Sequence, residues 1–173
     1  MRTHLVIPDT QVTPDTPTEH LGWIGKYWIE KKPDVVVMLG DFADMESLSS
    51  YDKKKKGAEG RRYHNDIAAA KQAMWELVKP LDDYNRKRRQ YKEKQYRPEM
   101  HLTLGNHENR INVATELEPQ LDGWMSVDDL EYERYGWTVH PFKNIATIDG
   151  VAYSHYFYNQ MSGRPYGGMS ADT

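Results

Sequence analysis

The first 40 residues constrain the fold most strongly, because they alternate two apolar runs with a helix-length amphipathic segment. Residues 5–7 and 35–39 are short and apolar, and the second run is continuous and rich in valine, as in strands buried on both faces. Between them, residues 18–32 carry apolar side chains at helical spacing, namely Leu21, Ile24, Tyr27 and Trp28. This β-α-β order predicts parallel strands joined by a right-handed crossover, and therefore an α/β fold.

The rest of the chain predicts further helices and a second group of strands. The patterns indicate helices at 63–79, 81–95, 115–121 and 127–134, and strands at 101–104, 137–139, 144–148 and 151–154. Pro80 is expected to break or kink the long helical region, because proline disfavours helix in the residue before it. Asp149-Gly150 indicates a hairpin turn between the last two strands. A parallel half followed by antiparallel strands predicts two sheets.

The composition excludes several classes of protein. The chain has 173 residues, a net charge of -3 and no cysteine, so a disulfide scaffold, a thiolate metal site and a cysteine nucleophile are excluded. Its first apolar run is too short for a signal peptide, and no stretch approaches the ~20 apolar residues of a membrane span. We therefore expect a cytoplasmic protein without a membrane partner. One domain is expected over residues 1–161, followed by a Gly- and Ser-rich tail over residues 162–173.

Polar side chains able to bind a metal follow each predicted parallel strand. Asp9 and Gln11 follow the first strand, Asp41 follows the second, and Asn106 and His107 follow the third. The carboxyl ends of parallel strands meet at one edge of a sheet, so these side chains are expected to converge there. Taken singly, the aspartates are explained better as turn or cap residues than as ligands, and the GNHE segment is explained equally well in either way. The occurrence of donors after three separate strands favours a ligand site.

Three segments in this order carry a resemblance to a known family. PDTQ at residues 8–11, GDFAD at 40–44 and GNHE at 105–108 resemble the ordered motifs of the calcineurin-like metallophosphoesterases. The family's motifs are Asp-x-His, Gly-Asp-x-x-Asp, Gly-Asn-His-Asp/Glu, a later His and Gly-His-x-His. The resemblance covers the chain to about residue 155 and implies a two-sheet sandwich flanked by helices, here with an incomplete second sheet. The charged helical insert, at about 53–97, is similar to that of phage-encoded members.

The resemblance also implies a metal centre and an activity. It implies two divalent cations, with Mn²⁺ favoured and Fe, Zn²⁺ or Mg²⁺ as alternatives, held by Asp9, Gln11, Asp41, Asn106 and His155. Asp41 would bridge the two cations and, with His107, form the catalytic pair; His107 would protonate the leaving oxygen or stabilise the phosphoryl group. Asn109 and Arg110 would contact phosphate. The implied activity is hydrolysis of a phosphate ester by a metal-activated water.

Two departures from the family pattern leave alternative functions open. Gln11 stands where the family has histidine, and an amide oxygen is a weaker ligand than imidazole, so the first metal is expected to bind less tightly. No Gly-His-x-His follows His155. The alternatives are an impaired or truncated enzyme, one part of a split enzyme completed by a second chain, and a non-catalytic module on a decayed scaffold that binds nucleic acid or protein.

The insert is strongly basic, which bears on the substrate. Residues 53–97 contain 15 basic and 6 acidic side chains, a local balance of +9. The first basic group is predicted to bind nucleic acid and consists of Lys53, Lys54, Lys55, Lys56, Arg61 and Arg62. A second group spans residues 86–97, with tyrosines interleaved that are able to stack on bases. The alternative is a solvated surface without a partner. The substrate is therefore expected to be a phosphate ester, with nucleic acid favoured.

Overall fold

Two sheets and three α-helices make up the fold, seen in a computed structural model that describes residues 2–51, 56–159, 161–164 and 166. The parallel sheet has the order β1 (His4–Ile7), β2 (Val35–Met38), β3 (Glu99–Thr103) and β4 (Thr138–His140). An antiparallel hairpin contains β5 (Ala146–Ile148) and β6 (Val151–Tyr153). The helices are α1 (Glu19–Lys31), α2 (Tyr63–Gln90) and α3 (Arg110–Leu117). The predicted α/β class with two sheets is confirmed.

Strand β2 lies at the centre of the molecule because both of its faces are covered. All four of its residues are buried. Val36 and Met38 belong to the main core, together with residues of α1 and α2 such as Trp28 and Leu77. Val35 and Val37 face the other way and cluster with apolar residues of the β5–β6 hairpin. The continuous apolar run in the sequence therefore reflects a strand between two layers.

Strand β4 differs from the prediction in its pairing. It runs parallel to β3, with His101 opposite Thr138, and forms the far edge of the first sheet. Only β5 and β6 are antiparallel among the described strands. The expected helix at 127–134 is two short 3₁₀ turns, separated by Glu131 at a φ of 54°. The helix expected at 115–121 begins earlier and is α3.

The expected helix break at Pro80 is wrong. Helix α2 continues through this residue without interruption and ends at Gln90, five residues before the predicted end. A proline removes one helix hydrogen bond and crowds the preceding turn. This cost is opposed by packing against α1. The Pro80 ring lies so close to Gly25 of α1 that a Cβ on Gly25 would be only 2.9 Å from Pro80 Cγ. Packing against α1 therefore outweighs the local preference.

Gly25 permits the close approach of α1 and α2, and substitution of this residue tests how close the packing is. A Cβ at Gly25 would lie 2.3 Å from the Leu77 carbonyl oxygen, whereas a Cβ at Gly22 would meet nothing within 4 Å. We expect Gly25→Ala to lower the free energy of unfolding by about 1–3 kcal/mol through overpacking. Gly22→Ala in the same helix should raise it by up to about 1 kcal/mol. Urea denaturation of both variants measures the difference, and equal effects would contradict the close packing.

No helix in the described part of the chain is long and apolar enough to cross a membrane. Of the predicted nucleic-acid group, Lys53, Lys54 and Lys55 lie outside the described residues, as does most of the predicted tail.

Candidate metal centre

The loops that follow β1 and β2 are joined at the carboxyl edge of the parallel sheet. The backbone N–H of Gln11 donates to the Asp41 carbonyl oxygen at 2.8 Å, and that of Val12 donates to the Phe42 carbonyl oxygen at 2.8 Å. Gln11 and Asp41 both adopt the left-handed conformation, each with a φ of 46°. These bonds set the Asp9 loop beside the Asp41 loop, as the strand order requires.

Side chains from four loops converge at this edge. Asp9, Asp41 and His155 each offer a ligand atom, and these atoms all lie within 4.8 Å of one another. His155 Nε2 lies 3.3 Å from Asp41 Oδ2 and 3.0 Å from Asn106 Oδ1. Its other nitrogen, Nδ1, is 2.8 Å from the Leu39 carbonyl oxygen, which can only accept a hydrogen bond. Nδ1 therefore carries a proton, and Nε2 is the nitrogen presented to Asp41 and Asn106.

The electrostatics of the Asp41 and His155 pair favour opposite charges. Burial is the largest influence on the pKa of Asp41 and raises it, but hydrogen bonds from His155 and the His107 backbone outweigh it, and the pKa falls below its ordinary value. Burial likewise lowers the pKa of His155, but its bond to Asp41 and the Asp41 charge raise it to about 9. At neutral pH the His155 imidazolium supplies the positive charge among these oxygen atoms, and a metal ion bound at Nε2 would take the place of its proton.

Glycines at two motif positions allow the Asp41 loop and the Asn106 loop to touch. Gly40 has a φ of 87°, which favours glycine, and its Cβ would lie 2.6 Å from the Gly105 backbone nitrogen. A Cβ on Gly105 would lie 1.9 Å from Asp41 Oδ1. The Asp41 carboxylate therefore occupies the space that a side chain at residue 105 would fill.

Glu108 holds the two loops together, a role that the sequence analysis did not assign. Glu108 is fully buried. Its carboxylate accepts hydrogen bonds from the backbone N–H groups of Asp41 at 3.0 Å, Ala43 at 3.1 Å and Gly105 at 2.9 Å. Burial and the nearby Asp41 charge raise the pKa of Glu108, against the lowering effect of these hydrogen bonds. The only indication of this role in the sequence was that Glu108 ends the GNHE segment.

His107 lies beside Asp41 and contacts Asp44. Its backbone N–H donates to Asp41 Oδ1 at 2.9 Å, and its Nε2 lies 3.8 Å from Asp41 Oδ2. Nδ1 is 2.6 Å from Asp44 Oδ1, but the two are poorly aligned for a hydrogen bond, so this is an ionic contact when the ring is protonated. Asp44 therefore fixes the ring from the side opposite the Asp41 carboxylate.

The predicted phosphate-contacting residues lie near the centre but are engaged within the protein. The Arg110 guanidinium donates to the Asp44 carbonyl oxygen at 2.6 Å. The Asn109 side-chain oxygen accepts a hydrogen bond from the Asn112 side chain at 3.0 Å.

In the first basic group, Arg61 pairs with Glu46 at 3.1 Å, and Arg62 donates to the Arg61 carbonyl oxygen. Lys56 is exposed in a short 3₁₀ turn just before these arginines.

The donor set fits a divalent cation. Asp9, Asp41 and His155 are the one group of three or more such histidine and carboxylate donors within the described residues, and Asn106 adds an amide oxygen beside them. Mixed oxygen and nitrogen ligands without sulfur suit Mn²⁺, Fe²⁺ or Zn²⁺. Gln11 is exposed on the loop that carries Asp9.

Comparisons with protein-family models, with curated proteins and with solved structures found nothing that matches this chain. The chemistry of the centre is therefore the basis on which its function is inferred.

Proposed function

We propose that this chain is a metal-dependent phosphoesterase of the calcineurin-like type, with the two-sheet fold of that family. One observation carries the proposal: Asp9, Asp41, Asn106 and His155 come from four separate loops and meet at one edge of the sheet. The order of the PDTQ, GDFAD and GNHE segments along the chain supports the same conclusion. The substrate class is a phosphate ester.

The residues at the centre would bind two cations. Asp9, with Gln11 beside it, would bind one ion. Asn106 and His155 would bind the other ion, and Asp41 would be a ligand of both. The cations supply Lewis acidity that activates water and neutralises phosphoryl oxygens. The Leu39 carbonyl oxygen accepts a hydrogen bond from the Nδ1–H of His155 and so keeps Nε2 directed at the centre.

His107 is the acid in the proposed reaction. Water attacks phosphorus, the bond from phosphorus to the leaving oxygen breaks, and that oxygen needs a proton. A protonated His107 would donate it, because the ring places Nδ1 beside Asp44 and leaves Nε2 on the side of Asp41. Arg110 supports this arrangement by holding the Asp44 backbone.

Mn²⁺ binding and turnover test the proposal together. We expect the chain to hydrolyse an aryl phosphate mono- or diester with Mn²⁺ and to lose this activity in EDTA. Asp9→Asn should weaken Mn²⁺ binding, measured by calorimetry, at least about tenfold, because it removes a ligating charge. Asp15→Asn is the matched control, since Asp15 is an exposed carboxylate on the same loop outside the donor group, and it should leave the affinity unchanged.

Two results would contradict parts of the proposal. Equal Mn²⁺ affinities of Asp9→Asn and Asp15→Asn would show that the donor group is not a metal site. Tight Mn²⁺ binding without hydrolysis of either ester would favour the non-catalytic binding module, or a chain whose site is completed by a partner.

A further inference from the structure

A dense group of positive charge lies at the end of the molecule opposite the metal centre. Residues 86–97 contain seven basic side chains and one carboxylate, in a chain whose net charge is -3. They form the last turn of α2 and the loop that enters β3 at its amino end. The metal ligands follow the carboxyl ends of the strands, so the two features lie at opposite edges of the sheet.

Contacts around Tyr84 bring three parts of the chain together at this end. Lys32, just after α1, has its Nζ 4.9 Å from the centre of the Tyr84 ring. The guanidinium of Arg88 lies 5.5 Å from the same ring, and its Nε donates to the Lys94 carbonyl oxygen at 2.6 Å. We call the surface formed by Lys32, Lys87, Arg88, Lys92 and Lys94 the basic pole.

Most charges of the basic pole are not neutralised. Within the described part of the chain, no carboxylate oxygen lies within 4.0 Å of the ammonium groups of the four lysines, and all four are exposed. Arg88, by contrast, is paired with Glu93 at 3.0 Å. Ammonium groups that lack a carboxylate partner remain available to bind phosphate oxygens.

The same surface offers an aromatic ring to bases. Tyr91 lies in the loop between Lys87 and Lys92, and 70% of it is exposed. Base–aromatic stacking is tolerant of sequence, because every base has a π-face, and it requires bases that are not already paired. Lysines around an exposed tyrosine are therefore suited to a single strand, whose phosphates and bases are both accessible.

We propose that the basic pole binds the phosphate backbone of single-stranded nucleic acid, with Tyr91 stacking on a base. This binding requires neither the metals nor turnover. Helix α2 begins beside the loop that follows Asp41, where Asp66 accepts a hydrogen bond from the Ser47 backbone N–H at 2.9 Å, and its last turn carries the basic pole. The basic pole would thus be an anchor remote from the site of hydrolysis.

Salt-dependent binding tests the proposal. The probe is a fluorescent single-stranded oligodeoxynucleotide of about 20 nucleotides, followed by anisotropy in EDTA. For the native chain, affinity should fall steeply between about 50 and 200 mM salt as counterions are released. Replacing Lys87, Lys92 and Lys94 by glutamine should weaken binding at least about tenfold and reduce the salt slope by about 2, near 0.7 per lost contact.

Matched variants separate this surface from net charge and from catalysis. Replacing Lys26, Arg134 and Lys143 by glutamine removes the same charge elsewhere and should change affinity less than twofold. Tyr91→Ala should weaken binding about fivefold or more without changing the salt slope. Hydrolysis of a small aryl phosphate should be the same in all these variants and in the native chain, so a failure of the phosphoesterase proposal would be seen separately.

Three outcomes would overturn the proposal. These are equal losses in the two triple variants, no oligonucleotide binding by the native chain at low salt, and binding to vesicles with anionic lipid but not to the oligonucleotide. The last result would assign the basic pole to a membrane surface.

Discussion

Asp41→Asn is expected to reduce Mn²⁺ affinity and phosphoesterase turnover by at least about 100-fold, while the fold is retained. The effect should be large, because partners behind metal ligands already contribute about 10–100-fold and Asp41 supplies a ligand charge itself. The fold should survive, since Asn keeps an oxygen for the His107 N–H and tolerates the left-handed conformation of this residue. Calorimetry with Mn²⁺ and an ester hydrolysis assay measure the two losses.

Asp149→Asn is a closely matched control for this variant. Asp149 also has a positive φ, of 51°, and its carboxylate also contacts a histidine, with Oδ2 2.9 Å from His4 Nε2. It lies in the β5–β6 turn and outside the donor group. The control should bind Mn²⁺ and turn over substrate like the native chain. If Asp41→Asn behaved in the same way, the assignment of the metal centre would be wrong.

Glu108→Ala is expected to lower the free energy of unfolding by about 3–5 kcal/mol. The substitution leaves the buried N–H groups of Asp41, Ala43 and Gly105 without their acceptor and opens a cavity among apolar residues. Metal affinity should fall as well, because the Asp41 and Asn106 loops lose their common partner. Urea denaturation measures the stability, and Mn²⁺ calorimetry on the folded protein measures the affinity.

Two further variants complete this test. One separates the effect of the Glu108 carboxylate on stability from the effect of its side-chain volume, and the other is a surface control. Glu108→Gln keeps the shape but directs an amide group at N–H donors, so it should recover only part of the stability. Glu116→Ala, on the exposed face of α3, should stay within about 0.5 kcal/mol of the native chain. A native-like stability of Glu108→Ala would show that the loops are held by other contacts.

The β-α-β unit was predictable because its signals are local. β1, α1 and β2 lie within one or two residues of the predicted bounds, since apolar runs and helical spacing fix them without distant partners. Convergence of the ligands was predictable for a similar reason, because parallel strands bring their carboxyl ends to one edge. Asp9 and Asp41 follow parallel strands and meet there, whereas His155, which joins them, follows the antiparallel strand β6, so the parallel strand order did not predict its position.

Other features depended on contacts between distant segments and could not be predicted. Pro80 indicated a break, but the packing of α2 on α1 at Gly25 maintains the helix. β4 was recognised as a strand, yet its parallel pairing with β3 depends on a turn-rich segment of more than 30 residues. The role of Glu108 required knowledge that a charged residue is fully buried, which no spacing rule supplies.

The single carboxylate shared by two loops also has an energetic consequence for ion capture. Because Glu108 fixes the backbone behind Asp41 and Gly105, the conformational entropy of assembling the ligands is lost when the chain folds and not when a cation arrives. The ligands are thus preorganised, and an incoming ion needs to displace only solvent and a proton.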